Sequence, residues 1–149
     1  MISTALMIPA HLDAVHAIET HSFSDPWLKE DILCEMKRAY SISIVALDEE
    51  KVAGYAFMRH IINEGHICNI AVHESHRLKG IGSALIEALT KAASAREMIG
   101  LTLEVRIGNR AAMALYHKHG FKVEGYRRGF YSYPTEDAAI MWKYIEVNK

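Results

Sequence analysis

Ile81, Ala84, Leu85, Ala88, Leu89 and Ala92 recur at the three-and-four spacing that gives a helix one buried face. Directly before them, residues 67–72 (ICNIAV) form a short apolar run of strand type. The same alternation runs along the chain. Residues 4–8 read as an opening strand, and Pro9 precedes a helix carrying Leu12, Val15 and Ile18. Asp25 is the expected N-cap of a second helix, with Pro26 at its first position and Leu28, Ile32, Leu33 and Met36 on its apolar face. Residues 40–47 and 52–62 read as strands joined by the polar turn 48–51, and residues 66–72 as a third strand leading into the long helix.

Beyond that helix, residues 97–100 connect to a strand over 101–106. Asn109 is placed to cap a following helix on which Ala112, Leu115 and Tyr116 share a face, and Gly120 stands where a left-handed residue would end it. Residues 121–126 and 138–144 would close the sheet, leaving 126–137 as a connection of a length often used for function. No repeat or Pro/Gly/Ser-rich linker interrupts this order. It predicts a single mixed α/β domain over residues 1–149.

The junction Arg77-Leu78-Lys79-Gly80-Ile81-Gly82-Ser83 carries the first chemical signal. Amides in a helix's first turn lack intrahelical partners, and the macrodipole adds partial positive charge there, so phosphate oxygens are natural ligands. The two glycines would let backbone approach an anion, with Arg77 and Lys79 adding charge, although glycine also serves simple turns. The dinucleotide fingerprint fails because Leu85 stands where its third glycine belongs, and no Gly-Lys-Ser/Thr of a P-loop follows.

Composition narrows the picture. The chain has 149 residues, 50% of them hydrophobic, and 17 basic against 18 acidic side chains give a formal charge of −1. That balance argues against nucleic-acid binding by bulk electrostatics, apart from a local basic patch at Arg127 and Arg128. Cys34 and Cys68 lack C-x-x-C spacing and are expected as reduced thiols. The absence of a leader pattern, and of an apolar run near the ~20 residues of a membrane span, leads to the expectation of a cytoplasmic protein without membrane contact. Among nine histidines, His11, His16 and His21 are five apart and cannot face one ion from a helix. His73, His76, His117 and His119 read as surface residues, so no metal is expected.

The Arg-x-x-Gly-x-Gly loop after a strand, the run L-E-V-R-x-x-N-x-x-A-x-x-L-Y and the ending Gly120-Phe121 resemble the GNAT acyl-CoA-dependent acetyltransferases. Residues 23–27 (FSDPW) and the late segment from Tyr126-Arg127-Arg128 through Tyr133-Pro134 to Glu136-Asp137-Ala138 are similar to the ribosomal-protein alanine N-acetyltransferases within them. The resemblance implies a mostly antiparallel sheet of about seven strands flanked by about four helices, splayed between the strands ending near Val72 and Glu104, with acetyl-CoA in the gap. It implies that Ile70, Ala71 and Val72 bind pantetheine through backbone, that Leu78, Lys79, Gly80, Ile81, Gly82 and Ser83 hold the pyrophosphate beside Arg77, and that Asn109 contacts the cofactor arm. Glu104 becomes the general base and Tyr116 the general acid for direct transfer to a protein's N-terminal α-amine, alanine of a ribosomal protein in particular. Without that pattern Glu104 would read as a partner of Arg106 or of a solvated lysine.

Phe23, Trp27, Tyr131 and Tyr133 are the expected walls of a groove for the acceptor peptide, in a monomer or weak homodimer. The late segment departs from the subfamily, which more usually carries adjacent tyrosines before proline where this chain has Tyr131-Ser132-Tyr133. A small amine or a lysine side chain is therefore an alternative acceptor. A non-catalytic acyl-CoA sensor is a further alternative, one that has no need of both Glu104 and Tyr116.

Overall fold

The computed structural model describes residues 1–145. Its strands are β1 (Ile2–Leu6), β2 (Ser41–Asp48), β3 (Lys51–Ile61), β4 (Glu64–Val72), β5 (Gly100–Arg106), β6 (Lys122–Tyr131) and β7 (Glu136–Tyr144). Its helices are α1 (Leu12–Ser22), α2 (Lys29–Lys37), α3 (Ile81–Ala95) and α4 (Arg110–Lys118). The strands form one sheet in the order β1-β2-β3-β4-β5-β7-β6, in which β4 and β5 run parallel and every other pair antiparallel. Helix α3 is the crossover that the parallel pair requires. This is the mixed α/β architecture expected from the sequence.

Strand alternation sorts the apolar residues onto two faces. Ile42, Ile44 and Ala46 of β2 face the core built on Leu85, Ile86 and Leu89 of α3 and on Leu101, Leu103 and Val105 of β5. Val45, Tyr55 and Phe57 face the opposite way, against Val15 and Ile18 of α1 and Ile32 of α2. Two cores sandwich the sheet, and each helix closes one of them.

The parallel pairing is short. Glu64, Gly65, His66 and Ile67 pair with Gly100, Leu101, Thr102 and Leu103, and there the ladder ends. Cys68 is the extra residue of a β-bulge: Asn69 pairs with Phe57 and Ile67 with Met58, leaving Cys68 without an opposite. Beyond the bulge, β4 continues with β3 while Glu104, Val105 and Arg106 continue with β7. The sheet thus splays between Val72 and Glu104, and the facing backbone edges are open to other partners.

Several boundaries differ from the sequence reading. The opening strand begins at Ile2 and ends at Leu6, and the β2–β3 turn is reduced to Glu49 and Glu50, Glu49 adopting φ +57°. Asp25 does not cap α2: the helix begins at Lys29, and Asp31 reaches back to accept the Leu28 N–H at 3.0 Å. The connection expected over 126–137 is mostly strand, because β6 continues to Tyr131 and only residues 132–135 turn. As an edge strand with nearly every side chain exposed, β6 carries no alternating pattern to betray it. Asn109 does cap α4, its Oδ1 accepting the Ala112 N–H at 3.2 Å, and Gly120 follows at φ +94°.

Candidate active site

Where β4 and β5 part, a cleft of about 510 Å³ opens between the α1–α2 connection, the two strands, the start of α4 and the β6–β7 turn. Its lining brings together Glu104, Tyr116, Asn109, Ile70, Phe23, Trp27 and Tyr131, residues spread over more than a hundred positions of sequence. Tyr133 is not among them; it is 76% exposed on the β6–β7 turn.

Glu104 sits on β5 one residue past the end of the parallel ladder, which is why its side chain enters the gap. It does not pair with Arg106. Its Oε2 lies 2.7 Å from His66 Nε2, and its Oε1 lies 3.8 Å from Arg127 Nε. The hydrogen bond to His66 outweighs the opposing effect of burial and holds the Glu104 carboxyl below its ordinary range. In return, the Cys68 sulfur at 3.9 Å from Nδ1 and the Glu104 carboxylate raise the His66 imidazole to about 10. Near neutral pH the two are an ion pair of imidazolium and carboxylate.

Tyr116 reaches the cleft from α4, packed at 5.8 Å between ring centroids against Phe121. Burial pushes its phenol well above the ordinary tyrosine value, so it stays protonated throughout the neutral range.

The acceptor side is braced by two buried or half-buried charges. Glu19 of α1, 1% exposed, accepts the Asn69 side-chain N–H at 2.7 Å, the Trp27 backbone N–H at 2.9 Å and the Tyr55 hydroxyl. One carboxylate thereby fixes the connection that carries Trp27 against the β4 bulge and β3. Trp27 stacks on Phe57 at 5.3 Å. Arg106 does the equivalent for the late hairpin. Its guanidinium donates to the Ser132 and Pro134 carbonyls, each at 2.9 Å, pairs with Glu136 at 3.1 Å, and lies 4.6 Å from the centre of the Tyr131 ring. Burial, the main cause, pushes the Tyr131 phenol up to about 12.

On the far side of the gap, Gly80 at φ +80° leads into α3, and no side chain caps the helix's first turn. Ala84 N–H is the first to bond back, to the Gly80 carbonyl at 3.0 Å, which leaves the amides of Ile81, Gly82 and Ser83 outward. The two glycines have different reasons. Gly80 supplies the left-handed turn, whereas a Cβ on Gly82 would meet Leu115 Cδ2 at 2.7 Å, so Gly82 permits α3 and α4 to approach closely. Ser83 Oγ is engaged by His119 Nε2 at 2.8 Å. Arg77, Leu78 and Lys79 are exposed on the loop outside the cleft, and Ala71 and Val72 follow Ile70 along the open β4 edge.

His66, Glu19 and Arg106 are the site residues that sequence reasoning passed over. His66 pairs with Thr102 and is diagonal to Glu104, a neighbour relation visible only once the strand register is known. Among the described residues no group of three or more His, Cys, Asp or Glu could hold a metal ion, and no helix is long and apolar enough to cross a membrane.

Known proteins resemble this chain in sequence and fold. The chain is 34% identical over 134 residues to the ribosomal protein bS18-alanine N-acetyltransferase of Escherichia coli (strain K12), covering 87% of this chain and 88% of that one. It is 30% identical over 145 residues to the protein of the same name from Salmonella typhimurium, with 95% and 96% covered. The crystal structure of the Escherichia coli ribosomal-protein-S18-alanine N-acetyltransferase superposes with a TM-score of 0.91 at 29% identity, over 100% of this chain and 97% of that one. The model of the acetyltransferase (GNAT) family matches residues 12–121. With the splayed sheet, the bulged β4 and the uncapped start of α3 in place, the chain belongs to the GNAT acetyltransferase family.

Proposed function

We propose that this protein is an α-N-acetyltransferase that moves the acetyl group of acetyl-CoA onto the N-terminal amine of a ribosomal protein beginning with alanine, the bS18 type named for its relatives. The observation that carries this reading is the convergence of Glu104 and Tyr116 on one cleft at the point where β4 and β5 separate. A ribosomal acceptor makes the cytoplasm the compartment of action.

The residues present fit the cofactor. The open β4 edge at Ile70, Ala71 and Val72 offers backbone groups to an amide-bearing arm. The free amides of Ile81, Gly82 and Ser83, with Leu78 and Gly80 shaping the loop and Arg77 and Lys79 beside it, suit a pyrophosphate. Asn109 uses its Oδ1 as a cap and keeps its amide N–H groups for the arm. Acetyl-CoA supplies an activated acyl group that an amine can accept directly.

Everything else falls to side chains. An α-amine has a pKa of about 7.7 to 8.0, so much of it is already free at slightly alkaline pH. Glu104 need not be a strong base. Its carboxylate takes the proton that the attacking nitrogen sheds, directly or through one water, when bond formation has made that proton far more acidic. His66 holds the carboxylate in place and keeps it ionised. Tyr116, protonated throughout this range, donates to the departing sulfur. Phe23, Trp27 and Tyr131 wall the groove for the acceptor's first residues, while Tyr133 meets only the chain that follows.

The test uses two short peptides with acetyl-CoA: one with a free N-terminal alanine and no lysine, the other N-terminally blocked with an internal lysine. Mass gain on the first alone is expected. Gain on the lysine peptide alone, or on neither, would overturn the reading.

A further inference from the structure

Cys68 lines the same cleft and has no part in the chemistry above. As the bulged residue of β4 it stands where the two strands separate. Its Sγ lies 3.9 Å from His66 Nδ1 and directs its proton to the His66 carbonyl at 3.6 Å, while the opposite ring nitrogen of His66 is held by Glu104 at 2.7 Å. Thiol, imidazole and carboxylate stand in line, a nucleophile beside a ring that a third group orients. Glu104 orients that ring beside the sulfur, and the sulfur lies in the lining of the cleft, where a disulfide carrying the pantetheine arm can reach it. Cys34, by contrast, is exposed on α2 and takes no part in the cleft.

We propose that Cys68 is a thiol–disulfide exchange site that captures coenzyme A from its symmetrical disulfide, closing the acceptor cleft with a mixed disulfide. The inference rests on the coenzyme A reading of the β4–β5 gap. The Cys68 sulfur, its proton released to solvent, attacks one sulfur of the coenzyme A disulfide. That S–S bond breaks, the Cys68–coenzyme A bond forms, and one coenzyme A thiolate leaves and takes up a proton. Cys68 is oxidised, one half of the disulfide is reduced, and no further oxidant enters. Affinity of the gap for the pantetheine arm concentrates this disulfide at Cys68 over disulfides that lack the arm. The adduct occupies the space beside Glu104 and Trp27 that the acceptor needs, and a thiol reductant reverses it.

The experiment treats wild type, Cys68→Ser and Cys34→Ser with coenzyme A disulfide, and in parallel with glutathione disulfide. It reads intact mass, the modified peptide and alanine-peptide turnover before and after dithiothreitol. Acetyl-CoA binding to the untreated proteins is measured by calorimetry. The expected result is one coenzyme A adduct at Cys68 in wild type and Cys34→Ser, formed at least tenfold faster than the glutathione adduct. Turnover should fall in proportion and recover on reduction, whereas whatever turnover Cys68→Ser shows should not change on treatment. An adduct on Cys34 alone, equal rates for the two disulfides, or full turnover in the modified protein would overturn the proposal. If acetyl-CoA binds and no adduct forms, this inference alone fails; if acetyl-CoA does not bind, the cofactor reading fails with it.

Discussion

Replacing His66 with glutamine removes the partner that holds Glu104, and the cost depends on pH in a way the site dictates. In the folded chain the Cys68 sulfur and the Glu104 carboxylate raise the His66 imidazole from 6.5 to about 10. A group raised on folding contributes stability that is whole below about pH 6.5 and is lost as pH climbs through its folded value. Glu104 is shifted the other way, so its share is present above pH 4.5 and is lost as pH falls through its lowered folded value. The pair is therefore at full strength between these limits. At about 1.4 kcal/mol per pH unit of separation, the His66 contribution has a ceiling of roughly 5 kcal/mol. The His66 side chain is 30% exposed. Solvent screening at such a site reduces the expectation to about 2 kcal/mol. Urea unfolding of both proteins at pH 6 and pH 9.5 reads the effect directly. Wild type should lose about 2 kcal/mol more than His66→Gln between the two conditions, because titrating groups that do not touch His66 are common to both and cancel. Parallel losses would refute a His66 imidazole raised by the Cys68 sulfur and the Glu104 carboxylate.

Three further substitutions separate bracing from chemistry. Glu19→Ala strands the Tyr55 hydroxyl and the Asn69 and Trp27 N–H groups, and should cost about 3 to 5 kcal/mol in urea unfolding; a cost under about 1 kcal/mol would mean that water replaces the carboxylate. Arg106→Lys cannot satisfy the Ser132 and Pro134 carbonyls and Glu136 together. It should raise peptide KM about tenfold with acetyl-CoA KM unchanged, and an equal rise in both would contradict its role on the acceptor side. Asn109→Asp keeps the oxygen that caps α4 but replaces the amide with a charge, so Tm should hold while acetyl-CoA binding weakens about tenfold; unchanged binding would remove Asn109 from the cofactor set.

What could be read from sequence was what depends on near neighbours. The α3 face follows from its spacing alone, and the α4 boundaries follow from Asn109 and Gly120, whose effects act within one turn. Asp25-Pro26 carried an equally local signal that failed, because Glu19 claims the Trp27 N–H and the ring is drawn onto Phe57, delaying the helix until Asp31 can cap it. Strand β6 was read as a loop because an exposed edge strand has no burial pattern. Glu104, Tyr116, Asn109, Phe23, Trp27 and Tyr131 were expected at the site from a motif and a resemblance, and the fold gathers them into one cleft. His66 and Glu19 were invisible because their meaning lies across the sheet: a histidine becomes Glu104's partner through parallel register, and a carboxylate on an amphipathic helix becomes a buried hub only when β3 and β4 pack above it.

In the proposed mechanism Glu104 and Tyr116 perform proton transfer and do not serve binding. The most direct measurement is turnover of the alanine peptide by Glu104→Gln and Tyr116→Phe, alongside the acetyl-CoA affinity of the same preparations. The account predicts that kcat falls about 100-fold or more in each variant, the usual range for losing a positioned acid or base, while acetyl-CoA affinity stays within about threefold of wild type. Turnover near the wild-type rate in either variant, with acetyl-CoA still bound, would contradict the role given to that residue.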